Sequence, residues 1–336
     1  MHPAIQGLLT IIFGVGGCVA YFYFSNQFLD KVLFPATGPK AGRNINRANM
    51  IRPWLFLMPA LLALGLYLAY PVVETLRLSL TERLPGGESA FVGLANYKQM
   101  MDEPKFWEAL KNNLLWLLVV PALSTLFGLI AAQLSDRVFW GNLAKSLIFM
   151  PMAISFVGAA VIWKLVYDTR PIDQEQIGVL NALYLYFGGD APNTWLTMPF
   201  WNNFFLMIVL VWIQTGFAMV ILSAALRGIP EETIEAAIID GANPFQVFFK
   251  IKVPQIMGTI VVVWTTITIT VLKVFDIVFA MTNGQWETQV LANYMFDKMF
   301  RANDWGVGSA SAMIIMLLVT PILVWNVYNA RKEMQS

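Results

Sequence analysis

Lys273 and Asp276 stand three residues apart in an otherwise apolar run, and ionisable groups in such a run are where membrane chemistry is first sought. At i, i+3 on one helix the two side chains would pair. Because Asp276 lies close to the polar Thr282-Asn283-Gly284 end of the run, they read best as a self-neutralised pair at the outer membrane edge. Lys273 would reach outward along its four-carbon stem. Lys164, one turn before Asp168, reads as an interface lysine of the same kind. Other chemistries lack their residues. One histidine, His2, and one cysteine, Cys18 in an apolar run, leave no catalytic triad, no disulfide within the chain and no metal site. Gly141-Asn142-Leu143-Ala144-Lys145-Ser146 looks superficially like a phosphate-binding loop, but Ala144 stands where glycine must precede the lysine. We expect no catalytic residue, no metal and no nucleotide hydrolysis by this chain.

Uncharged polar groups inside apolar runs are more informative. Gln214 and Thr215, beside Trp212, Gly216 and Phe217, fall near mid-membrane, and Thr265, Thr266, Thr268 and Thr270 recur in a later run. Threonines can bond to their own backbone and need no ligand. Gln214 has no such local solution, so it is expected to face a polar cavity or another helix. Pro121 and Pro151 interrupt apolar helices, and Pro151 followed by Ser155 reads equally as a cavity-lining kink or a purely structural one. Aromatic rings with amides and hydroxyls suit a sugar. They do not suit a metal ion or a strongly charged solute, which would want carboxylate or arginine clusters.

The elements that must position these residues are membrane helices. The 336 residues are 57% hydrophobic and only 13% charged, about half the charge of a soluble domain. Seven apolar runs approach the roughly 20 residues needed to cross a bilayer, near 4–24, 54–73, 112–134, 146–167, 203–226, 256–281 and 308–329. The first has neither a positive leading region nor a small-residue cleavage site, so a retained helix is expected. Residues 35–49 read as a linker. Lys and Arg number twelve in the loops 25–53, 135–145, 227–255 and the tail, against eight in the alternate loops; the acids divide seven against thirteen. By the positive-inside rule the N-terminus is external and the C-terminus cytoplasmic. A net charge of +1 gives no hint of nucleic acid.

Between the fifth and sixth spanning runs lies a polar stretch that predicts two capped helices. Pro230 suits a first helical position, Glu231 and Glu232 fall in the first turn, and Gly241 can take the left-handed conformation that ends the helix. Asn243-Pro244-Phe245-Gln246 restarts one with the residues of a capping box. Ile234, Ala237 and Ile238 share one face of the first helix, and Phe245, Phe248 and Phe249 one face of the second. No bilayer-related reason exists for such an elbow, so it is expected to dock on a partner.

At Glu235-Ala236-Ala237-Ile238-Ile239-Asp240-Gly241, followed after nine residues by Ile251-Lys252-Val253-Pro254, the chain resembles the EAA loop of ABC importer permeases, with Val253 for the usual leucine. Residues 52–334 look like the carbohydrate-uptake branch, in the manner of the maltose permease first subunit. The extra N-terminal helix and the length resemble the α-glucoside permease group, whose substrates include sucrose, trehalose and glucosylglycerol. Gln285 and Trp286 depart from the glycines usual after Gly284. The resemblance implies an all-α polytopic membrane protein: an N-terminal helix at 1–34, a cytoplasmic linker at 35–51 and a six-helix permease core at 52–336, with the coupling loop at 228–255. It implies a bacterial inner-membrane complex of this subunit, a second homologous permease, two ATPase subunits that bind ATP and magnesium, and an external solute-binding protein. ATPase coupling would fall to Glu235, Ala236, Ala237, Asp240, Gly241, Phe245 and Pro254. Carried over by position, substrate contacts fall at Phe156, Ile213, Gln214, Phe217, Ile267, Val271 and Val274, with Ser155 and Thr270 as nearby polar candidates. The competing reading, a secondary transporter or channel subunit working alone, predicts inverted repeats or midplane ion-coupling residues, and neither is visible. An ABC permease for an amino acid, polyamine or glycerol-phosphate would want more buried charge.

Overall fold

The computed structural model describes residues 3–83 and 88–333, so His2 lies outside it. Residues up to Glu74 form one compact unit and those from Thr75 a second. In the first unit α1 (Pro3–Phe28) is followed by α2 (Ala41–Leu64). Tyr21 donates to the Leu55 carbonyl at 2.9 Å, Phe22 stacks on Phe56, and Asp30 pairs with Arg52 at 2.6 Å. The expected linker is largely helical, because Gly38 (φ +83°) and Pro39 are followed from Ala41 by residues that sustain a helix. A wider turn at Gly65–Ala69 carries α2 into α3 (Tyr70–Ser79), giving a helical stretch of 39 residues where about 20 were expected.

The second unit opens with two short antiparallel strands, β1 (Thr81–Arg83) and β2 (Ser89–Phe91), which sequence reading did not anticipate. Then come α4 (Ala95–Asp102), α5 (Pro104–Ser135), α6 (Gly141–Phe149), α7 (Phe156–Val166), α8 (Val179–Tyr186) and α9 (Trp201–Arg227). The elbow contributes α10 (Glu231–Ile239), α11 (Pro244–Gln246) and α12 (Val253–Gln255), and the chain finishes with α13 (Met257–Leu272), α14 (Asp276–Met281), α15 (Leu291–Phe296) and α16 (Trp305–Glu333). Among the described residues five helical stretches are long and apolar enough to span a bilayer, and the number reaches seven if each of two bent pairs, Gly141–Ala153 with Phe156–Val166 and Pro244–Gln255 with Met257–Leu272, is one span.

Both bends refine the sequence reading. The chain bends by 105° between Gly141–Ala153 and Phe156–Val166, at Ile154–Ser155, just past a tight turn at Met150–Ala153 that contains Pro151. Ser155 then caps α7, its hydroxyl accepting from the Gly158 amide at 3.1 Å. Pro121, by contrast, sits inside an unbroken α5. The run 256–281 is not one helix. It stops at Leu272, and Phe275 leaves helical geometry, its ring stacked on Phe279 and tilted against Phe296.

Helices α5 and α9 run side by side in the same direction and form the centre of the unit. Trp116 and Val120 of α5, Leu206, Leu210, Met219 and Leu222 of α9, and Ile267 and Val271 of α13 are all buried in one core. Apolar area gives little discrimination between helices in lipid, so close approach depends on small residues. At Gly128 the backbones nearly touch: a Cβ there would lie 2.4 Å from the Ala218 Cβ and 2.9 Å from the Met219 nitrogen. Gly216 meets the Ile148 carbonyl of α6 in the same manner. Gly128→Val should therefore destabilise the bundle by about 1–3 kcal/mol through overpacking. The midpoint of thermal unfolding in detergent checks this, and an unchanged midpoint would mean the helices can separate freely there.

Candidate functional site

The elbow is built as its sequence suggests, with one shift. Pro230 is the N-cap of α10 and Glu231 the first helical residue, so both glutamates lie in the first turn. At the other end Gly241 adopts φ +84°, the Gly241 amide donates to Ile238 and the Ala242 amide to Ala237, both at 3.0 Å. These are the paired bonds of a Schellman ending. A Cβ at Gly241 would meet nothing within 4 Å, so glycine is required for its backbone angle and not for space. Asn243 and Gln246 form the reciprocal capping box at 2.9 Å in each direction. Beyond it, Val247–Lys252 widens into a π turn, and a 71° bend separates α12 from α13.

Buried Ile229 and Val247 anchor the two arms. Glu235, Ala236 and Asp240 are exposed, as is Pro254, while Ala237 is half-buried. Ile239 is 85% and Phe245 76% exposed, apolar surface of the kind that marks an interaction site. Phe245, Phe248 and Phe249 do share a face, and that face lines a groove against Ile130 and Leu134 of α5.

What sequence reading missed is the root of the elbow. Asp136, just past α5, accepts from Lys145 of α6, from Arg227 Nε at 3.0 Å and from Ser223 Oγ at 3.2 Å, the last two on α9. Lys145 also donates to Ser223 at 2.7 Å. Burial acts to raise the Asp136 pKa, but the hydrogen bonds and charges of Lys145 and Arg227 outweigh it and hold the carboxyl below its ordinary 3.8. The cations had been counted only as loop charge; Asp136, the single acid of the 135–145 loop, was the available signal.

Farther along the bundle, the threonines behave as expected. Thr215 bonds to the Val211 carbonyl at 2.7 Å, and Thr265, Thr266, Thr268 and Thr270 each bond to the carbonyl four residues before them. Gln214 is only 8% exposed and, among the described residues, its amide makes no hydrogen bond. Of the residues placed on a substrate pathway, Ile213, Ile267, Val271 and Val274 pack in the main core. Ser155 is exposed; Phe156, Phe217 and Thr270 are half-buried. Lys273 and Asp276 do not form the expected pair: α13 ends before Lys273, Asp276 begins α14, and no ion pair joins them. Lys164 donates to the Ala280 carbonyl at 3.4 Å.

The end opposite the elbow holds a second feature that the sequence did not reveal. Asn283, Trp286 and Glu287 adopt left-handed backbone angles of 54°, 55° and 61°. Four asparagines hold the segment they belong to. Asn112 donates to the Glu287 and Gln289 carbonyls at 2.9 and 2.8 Å, and Asn113 accepts from the Leu291 amide. Asn202 and Asn203 donate to the Trp286 and Glu287 carbonyls. The Asn-Asn doublets at the starts of α5 and α9 were the only sequence trace of this clamp. The departures Gln285 and Trp286 lie within it.

A helical bundle with two broken spans and an exposed, doubly capped elbow has the form of a transmembrane permease. Residues 124–333 match the family described as binding-protein-dependent transport system inner membrane component. The chain belongs to this family and is a permease component of an ABC transporter. It is 64% identical over 337 residues, 99% of each chain, to the alpha-glucoside transport system permease protein AglF of Rhizobium meliloti. It is 49% identical to the osmoprotective compounds uptake permease protein GgtC of Synechocystis over 81% of this chain and 96% of that one. Among solved structures, a bacterial ABC transporter involved in import of the acidic polysaccharide alginate matches with a TM-score of 0.72 at 19% identity. It covers 86% of this chain and 98% of its own, and the likeness is one of fold.

Asp136→Asn should cost about 1 kcal/mol at neutral pH, since Lys145 and Arg227 lose their shared carboxylate but solvent screens the exposed side of the cluster. The folded-state pKa lies below the unfolded value, so Asp136 contributes fully above pH 3.8 and its contribution is lost as pH falls through the folded pKa. Unfolding of both proteins in detergent should converge under strongly acidic conditions; equal stability at neutral pH would show the cluster to be ornamental.

Proposed function

We propose that this chain forms half of the translocation pathway of an inner-membrane importer for α-glucosides and related neutral sugars, driven by ATPase subunits that bind at the elbow. The observation that carries the coupling role is the elbow itself: an exposed apolar tip on a backbone fixed at both turns, rooted through Asp136 in three helices. The substrate class is supported by 64% identity to a permease named for alpha-glucoside transport and by the scarcity of buried charge. ATP and magnesium belong to the partner ATPase in this reading, in keeping with Ala144 where a phosphate-binding loop needs glycine. Lys and Arg distribution puts the elbow and C-terminus in the cytoplasm and the N-terminus outside. A second permease subunit and an external binding protein complete the assembly. One structural neighbour was solved with an alginate pentasaccharide-bound periplasmic protein.

Glu235, Ala236, Ala237, Asp240, Gly241, Phe245 and Pro254 form or flank the surface that receives the ATPase motion. The turns at 150–155 and at Ile256 are the places where α7 and α13 can change angle against α9. Along the pathway we assign the polar contacts to Gln214, Ser155 and Thr270 and the ring contacts to Phe156 and Phe217. Ile213, Ile267, Val271 and Val274 pack behind them in the conformation described. Working as an uncoupled secondary transporter would leave the elbow without a role.

Gly241→Val forces a β-branched residue into a left-handed angle, at about 1–3 kcal/mol of strain. It should cut uptake at least tenfold in membranes while ATP hydrolysis by the complex persists; coupled uptake at the normal rate would remove the elbow from the mechanism. Gln214→Ala should lower sugar uptake several-fold at unchanged ATPase turnover without sugar. If uptake kinetics of the purified complex in liposomes stay the same, Gln214 is a packing residue.

A further inference from the structure

Beside the elbow root lies a groove that shares Phe245 with the proposed ATPase-facing surface, but whose cations and α5 wall neither sugar transport nor ATPase docking uses. We infer that the groove between the end of α5 and the second arm of the elbow binds an anionic phospholipid, its phosphate between Arg137 and Lys252 and an acyl chain against Ile130, Leu134, Phe248 and Phe249.

Charge is the first argument. The nearest carboxylate, Asp136, is already shared by Lys145 and Arg227. Among the described residues neither Arg137 nor Lys252 has an acid within ion-pairing distance. Arg137 faces the side-chain amide of Gln133, whose oxygen would accept from Arg137 Nε and an outer guanidinium nitrogen at 2.9 and 3.1 Å in the amide orientation that satisfies both groups, a neutral partner. Lys252 is half-buried and within electrostatic reach of both Arg137 and Asp136. Asp136 is the one carboxylate these cations feel, and Lys145 and Arg227 already hold it, so positive charge is in excess here and calls for an anion from outside the chain. Basic pockets at the membrane ends of helices are where anionic headgroups bind.

Shape and position supply the second argument. The groove is a cavity of about 360 Å³ with nearly all-apolar walls, too poor in polar groups for a sugar. Its α5 wall continues the surface of a membrane-spanning helix, where Ile130 and Leu134 are 43% and 59% exposed, so the groove opens from the hydrocarbon side. Two residues after Arg137, beyond Val138, come Phe139, 100% exposed, and then Trp140, 51% exposed. Aromatic side chains so placed mark the headgroup level of a bilayer. Cations, an apolar groove and exposed aromatic residues thus all lie at the cytoplasm-assigned end of α5, a grouping that matches the chemistry of a single phospholipid: anionic head, interfacial glycerol, apolar tail.

The test uses the full chain, purified with the subunits that accompany it, in nanodiscs of phosphatidylcholine containing a minor fraction of phosphatidylglycerol. Native mass spectrometry after extraction reads which lipid is retained. The unmutated protein should retain phosphatidylglycerol over phosphatidylcholine, and the preference should weaken with added salt. Loss of two headgroup cations in R137Q/K252Q should reduce it roughly tenfold. The charge-preserving R137K/K252R should keep it, which separates loss of the anion site from loss of folding. Should the neutral double variant fail to insert, the salt titration of the unmutated protein decides alone. Equal retention of both lipids by the unmutated chain, or no fall on neutralising both cations, overturns the inference. So does phosphatidylglycerol binding that appears only once the ATPase subunits are stripped away, because the groove would then belong to that protein interface.

Discussion

A carboxylate at the end of one helix joins the ends of two others. Asp136 follows α5, Lys145 belongs to α6, and Ser223 and Arg227 to the last turns of α9, so one anion collects three helices where the elbow begins. Charge-assisted bonds of this kind are short and directional. They fix where Gly228 leaves the bundle, and hence the direction in which α10 projects. Without that anchor the caps at Gly241 and Asn243 would still shape an elbow, but in the proposed coupling role it would have no direct tie to α5 and α6. The clamp of four asparagines does the corresponding work at the far end of the same two helices, on backbone carbonyls and one backbone amide in place of a charge. Helices α5 and α9 are thereby fastened at both ends and pressed together at Gly128 in between, which makes them the rigid member against which bent α7 and α13 can shift.

Polar groups in the bundle divide along the line that hydrogen bonding draws. A threonine hydroxyl within reach of the carbonyl one turn back is satisfied before any ligand arrives, and Thr215, Thr265, Thr266, Thr268 and Thr270 take that option, whereas buried Thr125 of α5 does not. An unbonded amide in lipid-depth surroundings is costly unless water or a solute meets it. Gln214 therefore stands apart from its neighbours for a reason of energy, and Ser155, although it caps α7, remains exposed.

Much of this was legible in the chain and some was not, for physical reasons that can be located. Spanning runs, the elbow caps and the self-bonded threonines are set by local spacing, and each is found where spacing puts it. The 105° turn was half visible, because Pro151 announces a break but gives no angle. Lys273 and Asp276 were misplaced on one helix because hydropathy does not register the end of α13, which depends on the packing of Phe275 against Phe279 and Phe296. Apart from the Lys145–Asp136 pair, the Asp136 cluster and the asparagine clamp connect residues 78 to 178 positions apart, and no local pattern encodes such pairings. The linker at 35–51 was lost to simple helix propensity.

Those long connections set an order of events during synthesis. Asn112 and Asn113 emerge from the ribosome early, yet their partners between Glu287 and Leu291 come about 175 residues later. Because α5 and α9 run in the same direction, the chain must cross the bilayer an intervening time before they can lie side by side. For that interval the buried face of α5, with Trp116 and Asn113, faces lipid or the insertion machinery. Biogenesis of this permease thus contains a waiting period in which an amide-bearing helix is held without its mate, and the core closes only as the last quarter of the chain arrives.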